Sequence, residues 1–440
     1  MLAHSIADAL LVTGVVVYTF AVRVHGITKH FLMLGDQIRD WSIALRPFTA
    51  LPLVGPPRVD GGYSWGPIFY WLLWLIRVTI GPFVNNLPHA GGLGLAAAQS
   101  CADGVLCLGI RKCSGSWTFA AAATLIIATC PFDLALSSAI WNPVLAVALS
   151  KTTTGLLLWW QDSLTTRRRI ALLTLAWLTA QAHTPGLPFA LAICGWVIVK
   201  QARFGARAAV AVLAEAALVI SLLQIPYVMA KVPDRPTGIL VSIADLRQIH
   251  IGRSYDALVE AFQQIALRPW SIEHAGLLLI GAAIVVVLKS GPLAAPVAAS
   301  ALPVGAGVAV LSLWQQNYDS YWFLTLMPAA ILTIVWPVRM LPGTAARVLA
   351  SVILLVGAVL VQAPRIRDAK SLFRLPEYGA VVQGSRDLVR RGEPLQRIEA
   401  PFLPPSADPE FVFRILGGQI RPDAVTVAVL SPGGEITYRR

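Results

Sequence analysis

One stretch of the chain gathers acids, a base and an amide directly after an apolar run: Gly35-Asp36-Gln37-Ile38-Arg39-Asp40-Trp41. An aspartate held at a membrane surface can take the proton of a hydroxyl as a general base. An arginine three residues further on can grip a phosphate oxygen through its forked guanidinium. The spacing thus suits deprotonation of a hydroxyl beside a phosphate leaving group. The same residues also permit a plainer arrangement, with Asp36 capping a helix and Arg39 paired with Asp40. Residues 36–46 have helical spacing, with Ile38, Trp41 and Leu45 on one face, as in a helix lying on a membrane surface.

Further polar residues stand in short connections that are otherwise apolar: Asp133, Trp141–Asn142, Gln181, His183 and the run Gln315 to Asp319. His183 alone also fits a hydrogen-bonded structural role, and Asp319 also fits the cap of a helix starting near Ser320. Tyr63, Trp65, Tyr70, Trp141, Trp314, Tyr318, Tyr321 and Trp322 sit at the ends of apolar segments. Such aromatics form interfacial belts or stack on sugar rings. Asp36 is the candidate base. Gln37, Arg39, Asp40, Tyr63, Asn142, His183, Arg253, Tyr318 and Asp319 are the candidate binding residues. Asp103, Lys151 and Glu215 lie inside apolar segments, where an ionised side chain costs roughly 2.5–3.5 kcal/mol, so each needs a partner: Lys151 could meet a lipid phosphate, and the plainer expectation is an ion pair with Asp103 or Glu215.

What must position these groups is a membrane domain. The chain has 440 residues, 56% of them hydrophobic and 13% charged, and its mean hydropathy is +0.67. Soluble domains carry about 25% charged residues, so a soluble globule and a nucleic-acid binder are excluded despite the net charge of +12. Apolar segments run over roughly 6–23, 66–80, 91–110, 118–131, 143–160, 170–183, 186–199, 207–228, 274–288, 292–313, 321–337 and 345–363. The first lacks a basic leader and a cleavage site and is expected to be a true span. Basic residues fall on alternate short connections: Arg111 and Lys112, Arg167 to Arg169, Lys200 with Arg203 and Arg207, Lys289, and Arg339 with Arg347. The intervening connections 82–90, 132–142, 183–186 and 314–320 hold neither Lys nor Arg. This asymmetry places the basic set in the cytoplasm. Segment 66–80 is short, carries Arg77 and is bounded by Gly66–Pro67 and Gly81–Pro82, so it is expected to dip into the outer leaflet and turn back. Eleven crossings result, with residues 24–90 and 230–272 as large external loops and the C-terminus outside.

Residues 364–440 differ in kind, with 12 basic and 9 acidic residues after position 364. Residues 378–391 read as a helix, and Ser406 or Asp408 as the cap of a second one through Leu416. Val425–Leu430 and Glu435–Tyr438, joined by Ser-Pro-Gly-Gly, read as a hairpin. The fold class expected is an all-α polytopic membrane domain over 1–363, with juxtamembrane helices, followed by a small α/β extracytoplasmic domain. Cys101, Cys107, Cys113, Cys130 and Cys194 form no CxxC pair and read as packing residues.

The ordered set GDQIRDW, LVGPPRVDGGYSWGPIFYWLL, AIWNPVLAVAL, TAQAHTPGLPFAL and YDSYWFLTLMPA resembles the polyprenyl-phosphate-sugar-dependent glycosyltransferases of the C-type (GT-C) membrane fold, the broad family of the protein O-mannosyltransferases and the lipid A aminoarabinose transferase. The likeness runs over roughly residues 1–363. It implies transfer of a sugar from a polyprenyl-phosphate donor in the membrane lipid to a hydroxyl acceptor, at the outer face of a bacterial inner membrane, with Asp36 as the base and with inversion. Arg39 and Arg253 would stabilise the leaving phosphate. Many relatives carry Asp-Glu where this chain has Asp36–Gln37, a His-Pro-Pro-Leu type motif near Ser64–Pro67, and a second acid where this chain has Asn142. Two neighbouring carboxylates favour a divalent cation, whereas one carboxylate with an amide favours a metal-free site. A transporter or flippase, a polymerase or ligase of lipid-linked glycans, and an inactive binding relative are the alternative readings. Duplicated halves and paired broken helices, which mark many transporters, are missing from the sequence.

Overall fold

Four charged side chains meet inside the bundle of this computed structural model, which describes residues 2–58, 62–230, 255–256, 259, 272–311, 320–372 and 377–439. Arg23 Nη1 lies 2.6 Å from Asp103 Oδ2, and its Nη2 lies 2.8 Å from Asp133 Oδ2. Lys151 Nζ lies 2.9 Å from Asp103 Oδ1 and 3.0 Å from Asp133 Oδ2. Gln99 and Ser100 complete the cluster by accepting from Lys151 and Arg23. Two positive and two negative groups, all buried, sum to zero. The ion pair expected for Lys151 thus forms with Asp103 and Asp133, while Glu215 pairs with Arg169 at 2.9 Å. Asp133, grouped by sequence with the polar end of the bundle, is instead buried in this cluster. The short helix that carries it turns back into the protein.

The cluster joins α1 (Leu2–Val24), α4 (His89–Ser114), α6 (Pro131–Leu136) and α7 (Asn142–Trp159). Between them come α2 (Gly35–Ala44), α3 (Ile68–Thr79) and α5 (Trp117–Ala128). α4 and α7 cross at backbone contact through Gly109 and Gly155, where a side-chain carbon on either would run into the other's backbone. Small residues permit such close helix approach in a membrane. The bundle continues with α8 (Thr166–Ala182), α9 (Leu187–Ala202), α10 (Ala206–Met229), α11 (Ile272–Ser290), α12 (Ala295–Ala299), α13 (Ala301–Leu311), α14 (Met327–Val335) and α15 (Thr344–Leu372). The apolar run 292–313 is broken between α12 and α13 at Ser300, whose hydroxyl turns back onto the Pro296 carbonyl. Six of the described stretches are long and apolar enough to cross a membrane, and four shorter apolar helices accompany them.

The connections sort to two ends. At one end the basic ones meet: Arg339 donates to Ser114 O (2.6 Å), Lys200 to Gln161 O (2.8 Å), and Cys113 to Gln161 Oε1 (3.1 Å). At the other end lie both ends of α3. Gly66, just before it, presses on the Gln181 side chain near the end of α8. Ile76 and Asn86 contact Gly94 and Trp41. At about 18 Å α3 is too short to span, and it begins and ends against the same end of the bundle.

The C-terminal residues form α16 (Tyr378–Arg391), β1 (Arg397–Glu399), α17 (Pro409–Ile415), β2 (Val427–Leu430) and β3 (Ile436–Arg439). The sheet order is β1-β2-β3, with β1 parallel and β3 antiparallel to β2. Asp408 caps α17 through the Glu410 and Phe411 amides, and Leu388, Ile398, Phe413 and Leu430 pack together behind the sheet. Tyr378 docks this unit on the bundle, with its hydroxyl 3.0 Å from His89 Nδ1 and its ring 5.3 Å from that of Phe31.

Lys151→Met leaves two buried carboxylates to share one guanidinium. Loss of one partner from a buried pair costs about 3–5 kcal/mol. The expected result is a clear drop in the thermal midpoint in detergent micelles, partly restored by adding Asp133→Asn. A midpoint unchanged by Lys151→Met would show that the cluster does not hold the bundle.

Candidate functional site

Residues 35–44 are helical because Gln37 accepts from the Leu34 amide (3.2 Å) at the open first turn, and because Trp41 and Ala44 give one face to bury. The helix runs over the expected stretch, but its buried face is Gln37, Asp40, Trp41 and Ala44, with Ile38 and Leu45 at its margin. Trp41 fixes its depth. The indole donates to Asn86 O at 2.8 Å and, with Ile140, presses on Gly91 at the start of α4. Asp36 therefore points outward, with 57% of its side chain exposed, while Asp40 is fully buried.

Arg39 bridges the two carboxylates. Its Nη1 donates to Asp36 Oδ1 at 2.7 Å and its Nε to Asp40 Oδ1 at 2.9 Å. The Arg39–Asp40 pair that the sequence allowed is thus present, and Arg39 also holds Asp36. Tyr70 of α3 donates to the same Asp40 oxygen at 3.0 Å, while Asp40 Oδ2 is buried without a hydrogen-bond partner among the described residues. Burial pushes the Asp40 carboxyl up to about 6, against the opposing pull of Arg39 and the Tyr70 hydroxyl. Tyr70 is fully buried, not a belt aromatic, and its spacing was the available signal: it lies on the face of α3 that also carries Phe69, Leu73 and Ile76 inward.

A second group lies where α7 and α8 meet at the same end. Asn142 Nδ2 donates to Ala182 O at 2.9 Å and lies 3.4 Å from His183 Nδ1. Burial drives the His183 imidazole down to about 3, so it is neutral at physiological pH. Gln181 donates to Leu223 O at 2.6 Å and abuts Gly66. Trp65 stacks on Trp177, and Gln224, with its amide turned to satisfy both, donates to Trp65 O and accepts from Trp177 Nε1. These contacts seat the loop before α3, in which Tyr63 bridges to Pro57 and remains about one-third exposed, against α8 and α10. Two seams therefore bring the groups together on one end: Trp41 with Ile140 over Gly91, and Gly66 with Gln181. Gln37 is turned inward as a helix-start acceptor. Arg253, Tyr318 and Asp319 lie outside the described residues. Among the described residues, no three His, Cys, Asp or Glu side chains converge as metal ligands.

Asp40 generates a pH prediction. Its folded-state pKa lies above the ordinary carboxylate value near 4, so the native state holds the proton more tightly than the unfolded chain. Its stabilising contribution is complete below pH 4 and is lost as the pH rises through 6. Asp40→Asn removes that slope. The thermal midpoint of the wild type relative to this variant is expected to fall between pH 4.5 and 6.5, by the equivalent of roughly 2–3 kcal/mol at most. A relative midpoint that rises over that interval would contradict the assignment.

No protein-family model matches the chain, and no curated protein matches it in sequence. Solved structures do. The chain is similar to ArnT from Cupriavidus metallidurans bound to undecaprenyl phosphate, with a TM-score of 0.60, 13% identity, and coverage of 92% of this chain and 84% of ArnT. Against the same protein in the apo state the TM-score is 0.54, again at 13% identity, over 95% of this chain and 86% of the other. It is also similar to the Archaeoglobus fulgidus oligosaccharyltransferase in complex with zinc and sulfate, with a TM-score of 0.50, 15% identity, and coverage of 94% of this chain and 67% of that one. The chain is therefore a polytopic membrane protein with the fold of ArnT, the C-type membrane fold that its sequence motifs imply.

Proposed function

We propose that this chain is a membrane glycosyltransferase that moves a sugar from a polyprenyl-phosphate donor to a hydroxyl acceptor, with Asp36 as the general base. The observation that carries this reading is an exposed carboxylate, Asp36, held by Arg39 on one end of a bundle whose fold is that of ArnT, a protein crystallised with undecaprenyl phosphate. The oligosaccharyltransferase of the same fold supports sugar transfer as the reaction class. The basic connections all lie at the opposite end, and the charge asymmetry assigns that end to the cytoplasm and Asp36 to the extracytoplasmic side.

The bond-making and bond-breaking step uses Asp36 and Arg39. Asp36 accepts the proton of the acceptor hydroxyl, whose oxygen attacks the anomeric carbon. The bond from that carbon to the phosphate oxygen breaks on the opposite side, and the electron pair leaves with the lipid phosphate. Configuration is inverted. The Arg39 side chain is about one-third exposed beside Asp36, so its guanidinium can meet a phosphate oxygen as charge develops there. Asp40 and Tyr70 act through Arg39: the buried carboxylate fixes Nε, so the outer face of the guanidinium keeps its aim. The neutral His183 and the Asn142 amide offer hydrogen bonds, not charge, to the sugar.

Asp36→Asn keeps the shape and removes the base. Since Asp36 is exposed and bonded only to Arg39 among the described residues, expression, membrane insertion and thermal midpoint are expected to stay at wild-type values. Transfer from a radiolabelled polyprenyl-phosphate sugar is expected to fall by about 10²–10⁴-fold. Normal turnover by this variant would remove Asp36 as the base. Retention of the labelled lipid without transfer by the wild-type chain, across hydroxyl acceptors, would favour a carrier of lipid-linked sugars.

A further inference from the structure

A second polar site lies away from Asp36, where the C-terminal unit docks on the bundle. A cleft of about 650 Å³ opens between residues 28–30, the turn before α4, α16 and the β2–β3 turn. This volume falls in the range of small-molecule sites, roughly 300–1,000 Å³. Its walls are fixed. The Gly379 amide donates to Lys29 O at 3.1 Å, and a side chain at Gly379 would crowd the Lys29 backbone. His89, one of its lining residues, is held by the Tyr378 hydroxyl at 3.0 Å.

The lining has one sign of charge. Lys29 and Arg386 are its charged side chains, His30 and His89 add imidazoles, and none of the described lining residues is Asp or Glu. Lys29 and Arg386 are exposed, and neither makes an ion pair with a carboxylate among the described residues. Two sites far apart in the chain, one just past α1 and one on α16, thus hold their cations over the same hollow with no acidic side chain among the described lining residues. Concave walls focus such a field and raise the local concentration of anions. The rim adds an apolar element. Phe83, one of the lining residues, is 86% exposed. An exposed phenylalanine beside unpaired cations is the pattern of a site at the headgroup level of a membrane.

We propose that this cleft binds a phosphate group, with Lys29 and Arg386 as its charge partners. The phosphate is that of an anionic phospholipid headgroup or a free phosphate, and the experiment separates the two. The full chain is purified and placed in nanodiscs of phosphatidylcholine alone or with phosphatidylglycerol, and retained lipid is read by native mass spectrometry. In parallel, inorganic phosphate is titrated in the phosphatidylcholine discs with the thermal midpoint as readout. Each arm is run with the wild type, with Lys29→Ala/Arg386→Ala, and with Arg421→Ala/Arg439→Ala, which removes the same charge from the surface elsewhere.

Retention of phosphatidylglycerol by the wild type and the control pair, weakened about tenfold in Lys29→Ala/Arg386→Ala, supports a lipid headgroup site. A phosphate-dependent rise in midpoint that only Lys29→Ala/Arg386→Ala loses supports a free-phosphate site. Equal behaviour of the three proteins in both arms would overturn the proposal. Asp36 is intact in every variant, so the outcome does not depend on the transfer reaction.

Discussion

Two cations and two carboxylates meet in the interior of the bundle, and because none of them can stand there alone, their pairing sets the register of four helices at once. Arg23 sits in the last turn of α1, Asp103 in the middle of α4, Asp133 in the short α6 and Lys151 in the middle of α7. A slide of any of these helices by one turn, about 5.4 Å, would pull a charge away from its partners in a medium that does not solvate it. The place where α1 ends is therefore fixed, and so is the point from which the chain sets out toward α2. The start of α7 is fixed in the same way, and with it Asn142. The close crossing of α4 and α7 at Gly109 and Gly155 works in the same direction.

The end of the bundle that carries α2 then gives one residue type two environments. Asp36 and Asp40 are one helical turn apart on α2 and share Arg39, yet one is exposed and the other buried. Trp41 causes the difference, since its burial against Asn86 and Gly91 rolls the helix so that position 40 faces inward. The buried acid is the anchor of the guanidinium and the exposed one is the group that a substrate can reach. This division of labour is what the proposed chemistry requires: a base open to the acceptor, beside a cation held by a partner that the substrate cannot displace.

Much of this was legible in the residues, for identifiable reasons. Long apolar runs set the membrane helices, and alternation of basic and uncharged connections anticipated which connections would meet at each end. In the C-terminal unit, 378–391 is helical and ends at a glycine with positive φ, Asp408 caps the next helix, and Ser-Pro-Gly-Gly turns the hairpin, all from local chemistry. The parallel strand β1 was not legible, because three residues carry too little pattern and its partner lies 30 positions away. Arg23 looked like the last residue before a loop, and Asp133 like a polar end group. Only the packing of α6 back into the bundle brings them together. Tyr70 is neither the belt nor the sugar-stacking aromatic that its sequence position suggests, because its partner depends on the angle between α2 and α3, which spacing within either helix does not encode. The motif GDQIRDW located the candidate site, but which of its two acids would be buried depended on the pocket that receives Trp41.

The most direct measurement is an experimental structure of the chain in nanodiscs with a polyprenyl phosphate bound. The predicted result is a phosphate about 3 Å from the Arg39 guanidinium, with Asp36 beside it and the prenyl chain leading into the bilayer. A phosphate seated at the basic end of the bundle, about 30 Å of hydrocarbon away from Asp36, would contradict the proposed site.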